Sequence, residues 1–426
     1  MSEFHSDLSG FYKLSLKERQ KVLSELIPLD DEDLKLLENL GYFTDTQIDT
    51  LIENVVGSYQ LPLGIACNFK VNNKDYLIPM VIEEPSVVAA ASNAARIARK
   101  HGGFFSEKVN SIMISQIQIT NLKDLKQAKR LLLEHKKDLL KIANDQDPLL
   151  KKLGGGAYDF EIREIKTRKG QMLILHLLVN VLDAMGANVV NTMAEALSPY
   201  IEEISGGVIY LRIVSNLATH RITKCKAKFD KDLLGGKSVV EGIINAYEFA
   251  LADPYRATTH NKGIMNGIVA LTLATGNDTR AIESGAHAYA SIKGKYEPLT
   301  NFKLDENGHL IGEIEIPLAL GIIGGMTKIH PMARLNLKIL GTKSAEELCQ
   351  VAAALGLAQN VAALRALAAE GIQKGHMTLH SRNIAKLAGV PDHLIEQVAK
   401  KLVEDKKIRV DYAKKILKEV LTKKNL

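Results

Sequence analysis

Apolar residues change their period several times along the chain, and each change marks an element. Leu16, Val22, Leu23, Leu26 and Ile27 recur at helical spacing behind Ser15, with Glu18 three residues on, a capping-box pattern that predicts a helix. A second helix is expected from Asp30 to Leu40, stopped by Gly41. Residues 61–82 read instead as two strands joined by the polar turn Asn72-Asn73-Lys74-Asp75. The loop Glu83-Glu84-Pro85-Ser86 then feeds a tightly packed helix of small apolar residues, Val87 to Ala95. Residues 112–120 alternate as a strand and Leu122 to Ile142 form a charged amphipathic helix, so a new domain is expected near residue 110.

Gly154-Gly155-Gly156 leads into a strand at Asp159 to Thr167, a second runs from Met172 to Val181, Asp183 to Asn188 opens a helix reaching about Glu203, and Val208 to Val214 is another strand. The order strand, helix, strand, strand, helix, strand predicts a small ferredoxin-like α+β unit. No GxGxxG occurs, which excludes the usual Rossmann fingerprint. Beyond it come a helix at 236–252, a loop around Lys262, the apolar stretch Gly263 to Ala274, an interruption at Gly276-Asn277-Asp278, a strand at Leu310 to Ile316, a glycine-rich turn at 321–325 and two alanine-rich helices in 344–370. The tail after Gly371 has its own amphipathic helices. The fold class expected is therefore α+β, without internal repeats.

At 426 residues with 46% apolar content the chain is long enough for two or three domains. Aromatic residues make up 5% and tryptophan is absent, which weighs against a base-stacking or sugar-binding surface. Cys67, Cys225 and Cys349 are far apart and lack metal-site spacing, so they read as reduced, buried thiols of a cytoplasmic protein. Neither a signal peptide nor an uninterrupted apolar run of about 18 residues is present. The whole net charge of +6 falls within residues 400–426, leaving the rest of the chain near neutral.

Several residues carry candidate chemistry. Lys262 stands among glycine, methionine and asparagine with no neighbouring charge, as an electrophilic ammonium would, although a surface lysine on a glycine-containing loop reads the same way. Glu83 and Glu84 are adjacent, so only one can face a pocket between apolar Val81-Ile82 and the small-residue helix; an inward carboxylate there suits proton donation. Asp278 is placed either as a helix N-cap or as the partner of Lys262. His376 and His380 lie four apart, yet no acid between them makes an HExxH motif, and no metal is expected. Asp183 to Asn188 combines a helix start with Gly186, suited to nucleotide contacts, and Arg256 suits a substrate carboxylate.

Taken together, Glu53-Asn54-Val55-Val56-Gly57, the string from Glu83 to Ser92, Asp183 to Asn188, His260 to Gly267, Gly276-Asn277-Asp278 and Gly375-His376-Met377 resemble, in order, the motifs of 3-hydroxy-3-methylglutaryl-CoA reductases. The chain looks like the soluble, bacterial class II form, and the resemblance runs from about residue 11 to residue 410. It implies a catalytic set of Glu84, Lys262, Asp278 and His376, and hydroxymethylglutaryl contacts from Ser86, Arg256 and Asn266. It further implies a nicotinamide nucleotide site at Asp183, Met185, Gly186, Asn188 and Asn216, with Asp147 at the adenosine ribose favouring NAD(H) over NADP(H). Residues 1–109 and 216–371 would form a large substrate, CoA-binding and dimerisation domain, 110–215 an inserted nucleotide domain and 372–426 a helical flap, with the active site completed across a homodimer or an assembly of dimers.

The family's reaction needs two hydrides: Lys262 would hold the oxyanion, Asp278 orient Lys262, His376 protonate the CoA thiolate and Glu84 supply a proton to the aldehyde. Two other readings compete. A reductase of a different acyl-CoA would carry the same motifs. Residues 383–407 also resemble a helix-turn-helix, but Glu396, Glu404 and Asp405 would face phosphates.

Overall fold

The computed structural model describes residues 10–27, 29–369 and 381–424. Two compact units are present, Met1–Pro62 and Leu63–Leu426.

In the first unit, helices α1 (Leu16–Leu26), α2 (Asp31–Glu38) and α3 (Asp45–Asp49) follow their caps. Ser15 accepts the Glu18 N–H while Glu18 accepts the Ser15 N–H, the expected capping box. Leu16, Ile48 and Val55 close a small core, and buried Arg19 pairs with Asp49 at 2.6 Å. Because these residues bury one another, the segment stands as a unit of its own, where the sequence placed it within the large domain.

The second unit holds two sheets. The six-stranded sheet runs β2-β1-β3-β8-β10-β9, built from β1 (Leu63–Val71), β2 (Lys74–Val81), β3 (Phe104–Ser106), β8 (Ile222–Phe229), β9 (Thr300–Leu304) and β10 (Leu310–Pro317). Asn72 and Asn73 both adopt positive φ between β1 and β2, the tight hairpin geometry asparagine tolerates best after glycine. The four-stranded antiparallel sheet comprises β4 (Ile112–Thr120), β5 (Gly156–Thr167), β6 (Gly170–Asn180) and β7 (Val208–Ser215) in the order β5-β6-β4-β7. Helices α5 (Leu125–Glu134), α6 (Lys136–Asn144) and α8 (Ala187–Ser205) pack on it, giving the ferredoxin-like arrangement. The single helix expected over 122–142 breaks at His135, which leaves helical geometry and brings its ring Nδ1 to 2.9 Å from the Leu131 carbonyl.

The remaining helices are α4 (Val87–Arg99), α7 (Pro148–Lys152), α9 (Lys231–Leu234), α10 (Lys237–Ala252), α11 (Pro254–Ala274), α12 (Thr279–Ala290), α13 (Gly325–Ile329), α14 (Pro331–Leu340) and α15 (Ala345–Ala369). α16 (residues 381–387), α17 (Ile395–Glu404) and α18 (Val410–Lys424) share a separate core of Ile384, Leu394, Val398, Leu402, Ala413 and Ile416. The alanine-rich segment read as two helices is one uninterrupted helix, α15. Its mean hydropathy of 1.5 over 18 residues would suit a membrane span, yet 67% of that window is buried under α4, α10, α11 and β8 within the fold. Cys225 and Cys349 are buried as expected, whereas Cys67 is exposed.

Lys262 lies on a helix and not on a loop. Pro254 at the first turn and the Asp253 carboxylate, which accepts the Arg256 N–H at 3.1 Å, start α11 ahead of it, and the glycines that suggested a loop serve close packing. A Cβ at Gly267 would stand 3.1 Å from Leu355, and one at Gly356 of α15 would stand 2.8 Å from Ile268. A buried polar ring fixes the same helix pair: His260 Nε2 lies 2.6 Å from Thr300 Oγ1, Thr300 donates to Asn360 Oδ1 at 2.9 Å, and Asn360 Nδ2 donates to the His260 carbonyl at 3.2 Å. Since the Thr300 proton goes to Asn360, His260 donates through Nε2 and is the neutral tautomer.

Burial, reinforced by the Arg256 charge, pushes the His260 pKa from 6.5 down to about 3. Its contribution is therefore fully present above pH 6.5 and is lost as pH falls toward about 3, because only the unfolded imidazole takes up a proton there, at about 1.4 kcal/mol per pH unit. Urea unfolding at neutral and mildly acidic pH should show this slope in the wild type and its loss in His260→Gln; equal slopes would refute it.

Candidate active site

Two elements bring the chemistry together. Strand β2 delivers the chain to Glu83-Glu84, and α4 starts immediately after Pro85 with Ser86 as N-cap. Ser86 has φ 76°, a left-handed conformation unfavourable for a residue with a side chain, and its hydroxyl makes no capping hydrogen bond. Of the two carboxylates, Glu83 is exposed and Glu84 half-buried, in line with one facing in and one facing out. Opposite them α11 presents Lys262, whose Nζ donates to Glu84 Oε2 at 3.0 Å. The enclosure expected of Lys262 is not found in a single chain: its side chain is 59% exposed and that of Glu84 32%.

Asn266 lies one helical turn beyond Lys262 and shares its face of α11. Arg256, on the first turn, is half-buried with its pKa lowered by burial, and no carboxylate pairs with it among the described residues. A guanidinium in that state suits an incoming carboxylate.

Asp278 does not reach Lys262. It is the N-cap of α12, accepting the N–H groups of Arg280 and Ala281, and it pairs with the Arg280 guanidinium at 3.3 Å. From Lys262 to Ala274 the rigid helix advances about 18 Å away from Glu84, and in the single chain Asp278 is engaged at α12 and not with Lys262, so the expected Glu84-Lys262-Asp278 triad is not formed there. His376 and His380 lie outside the described residues. A cavity of about 320 Å³ adjoins the Glu84 loop, lined by Pro85 together with Arg382, Asn383, Lys386, Asp392 and Glu396.

The residues expected at the nucleotide gather at one end of the small sheet. Gly156 of β5 and Ile112 of β4 both align with Asn180 at the end of β6, and Ile114 aligns with Ser215 at the end of β7. The turn Asp183 to Asn188 therefore leaves from the same edge as Asn216. Asp147 approaches that edge too, because Asn144 on the preceding turn hydrogen-bonds both backbone groups of Ala157. Gly186 is the N-cap of α8 at φ 99°, and a Cβ there would fall 2.6 Å from Val181. No side chain caps α8, so its first amides stay available to a phosphate, and exposed Asn188 lies in this turn. This free helix start and glycine-only approach fit a dinucleotide. Asp183 and Asp147 also have structural duties: Asp183 Oδ1 accepts the N–H of Ala345, the first residue of α15, at 2.8 Å, and Asp147 caps α7 through the Leu150 N–H at 2.9 Å.

Sequence reasoning missed Arg221. It is fully buried, with Nη1 donating to the carbonyls of Ala184 at 3.1 Å and Met185 at 3.4 Å and Nη2 donating to that of Leu320. Its only sequence signal was a cation inside the otherwise alternating stretch that leads into β8. His101, Asp230 and His309 also converge, but Lys100 sits 2.7 Å from Asp230 and the Lys231 N–H donates to His309 Nδ1, so protein donors already occupy the places a cation would take.

Comparison with known proteins identifies the family. The family model described as hydroxymethylglutaryl-coenzyme A reductase matches residues 15–381. A 3-hydroxy-3-methylglutaryl-coenzyme A reductase of Archaeoglobus fulgidus is 58% identical over 415 residues, covering 97% of this chain and 95% of the relative. A probable enzyme of the same kind from Borreliella burgdorferi is 37% identical over 429 residues, covering 97% of each. The class II 3-hydroxy-3-methylglutaryl-CoA reductase from Streptococcus pneumoniae, solved bound to NADPH in open conformations, superposes with a TM-score of 0.76 at 40% identity, covering 96% of this chain and 100% of that one. The chain belongs to the hydroxymethylglutaryl-coenzyme A reductase family, in its class II form.

Proposed function

We propose that the chain interconverts (S)-3-hydroxy-3-methylglutaryl-CoA and (R)-mevalonate plus CoA in two hydride transfers, as a cytoplasmic homodimer or assembly of dimers, with Glu84 and Lys262 at the reacting carbon. The observation that carries this reading is the 3.0 Å contact between Lys262 Nζ and Glu84 Oε2. Two molecules of reduced nicotinamide nucleotide, bound in succession at the Asp183 to Asn188 turn, Asn216 and Asp147, would each supply one hydride. Lys262 stabilises the oxyanion left on the thioester carbon, and Glu84, already in hydrogen-bond contact with that ammonium, passes a proton to the aldehyde oxygen in the second step. Arg256, Ser86 and Asn266 hold the hydroxymethylglutaryl group, with the Arg256 guanidinium, which has no carboxylate partner among the described residues, on its carboxylate. His376 would protonate the departing CoA thiolate; the cavity lined by both Pro85 and Arg382 brings the described C-terminal helices beside the Glu84 loop, which supports this role.

Purified chain should oxidise reduced nicotinamide when given hydroxymethylglutaryl-CoA, and Lys262→Ala should still bind the thioester but turn over about 100- to 1,000-fold more slowly. Near wild-type turnover would remove Lys262 from the mechanism, and preference for another acyl-CoA would reassign the substrate.

Asp278 belongs in this reading to the site of a second copy, since α11 holds it away from Lys262 of its own chain. Mixing inactive Glu84→Gln and Asp278→Asn proteins under conditions of subunit exchange should then restore activity, up to about a quarter of wild type for random pairing in a twofold dimer. No recovery despite demonstrated exchange would place Asp278 elsewhere.

Asp147 supports NAD(H), because its carboxylate repels a 2′-phosphate. Asp147→Ala should shift the ratio of NADH to NADPH efficiency toward NADPH about fivefold, the effect of roughly 1 kcal/mol of repulsion. A wild-type preference for NADPH, the nucleotide bound in the S. pneumoniae structure, would overturn the cofactor assignment.

A further inference from the structure

We propose that Arg221 is a positioning residue for the nicotinamide nucleotide, holding the Ala184-Met185 turn and setting positive charge behind it; this rests on the nucleotide site assigned above. Three segments meet at this side chain. The first, 181–186, leads from β6 to α8; the second, 216–221, leads from β7 to β8 and carries Arg221 itself; the third, 318–321, follows β10. Arg221 joins them through three carbonyls, those of Ala184, Met185 and Leu320.

Other contacts leave the turn little freedom. The Asp183 carbonyl accepts the Ile322 N–H at 2.9 Å, and its carboxylate is engaged by Ala345. Gly321 lies so close that a Cβ on it would fall 2.4 Å from the Met185 nitrogen. Asn277 grips Gly321 from the far side, accepting its N–H at 2.8 Å and donating to its carbonyl at 3.0 Å. Asn277 precedes Asp278, so the loop bearing the proposed catalytic acid and the nucleotide turn are registered against each other through Gly321 and Arg221.

Carbonyl acceptors alone would be served by a neutral donor at less desolvation cost, and a fully buried guanidinium is expensive. Among the described residues Arg221 makes no hydrogen-bonded ion pair, and its Nε has no partner. Its charge, near the Cys349 thiol and the Asp183 carboxylate, sits behind the turn that opens onto the uncapped start of α8. Helix dipole and guanidinium thus act in the same sense on a phosphate placed there.

The test compares Arg221→Gln and Arg221→Lys with wild type, using fluorescence titration with NADH and NADPH and separate KM values for nucleotide and hydroxymethylglutaryl-CoA. The glutamine variant should weaken nucleotide binding on the order of tenfold and reduce its salt dependence, while the thioester KM stays within about twofold. The lysine variant, which keeps the charge but loses the planar fork, should lie in between and decides the matter if the glutamine variant does not fold. Unchanged nucleotide affinity, or parallel loss of both KM values with a lowered unfolding midpoint, would overturn the proposal. Wild-type protein that binds no reduced nucleotide would overturn the underlying site together with it.

Discussion

The close approach of α11 and α15 is the constraint on which the rest depends. Glycines at 267 and 356 let Leu355 and Ile268 into the space where side chains would stand, and the ring of His260, Thr300 and Asn360 locks the two helices to β9. Apolar packing without direction would allow the helices to slide, whereas a closed hydrogen-bond ring in a dry interior permits one register only. That register decides where Lys262 stands, two residues past His260, and so brings it to Glu84 at the end of β2.

The same rigid helix also divides the chemistry. α11 carries Lys262 near its middle and hands the chain to Asp278 beyond its end, so about 18 Å of helix lies between the ammonium and the loop that bears the acid. The exposure of both Lys262 and Glu84 fits the proposed completion of the site by a second copy. In the proposed mechanism the ammonium must act in a medium drier than a single chain provides, because its hold on an oxyanion weakens in water.

At the small sheet, position follows from register. Antiparallel pairing brings the ends of β6 and β7 and the start of β5 to one edge, which gathers residues spread from Asp147 to Asn216. Arg221 lies behind that edge among backbone carbonyls, and through Gly321 and Asn277 it connects the proposed nucleotide turn with the loop of Asp278. Two motifs that sequence comparison treats separately, Asp183 to Asn188 and Gly276 to Asp278, are thus mechanically adjacent.

The sequence by itself determined what local physics controls. The Ser15 capping box, the Asn72-Asn73 turn, the order of elements in the small sheet and the rule that only one of Glu83 and Glu84 can face inward all follow from spacing over a few residues, whereas the choice of Glu84 came from the family resemblance. The set of motifs also carried the family. Only the tertiary structure decided what depends on distant partners. Glycines around Lys262 read locally as a loop, yet α15 turns them into contact points of a helix. The alanine-rich segment became one helix because neighbours on several sides bury it. Asp278 was legible as a cap or as a partner of Lys262, and the length of α11 selects the cap within one chain. Arg221 gave almost no signal, since its role lies in three carbonyls far from it in sequence, and burial of that kind exists only once the chain has folded.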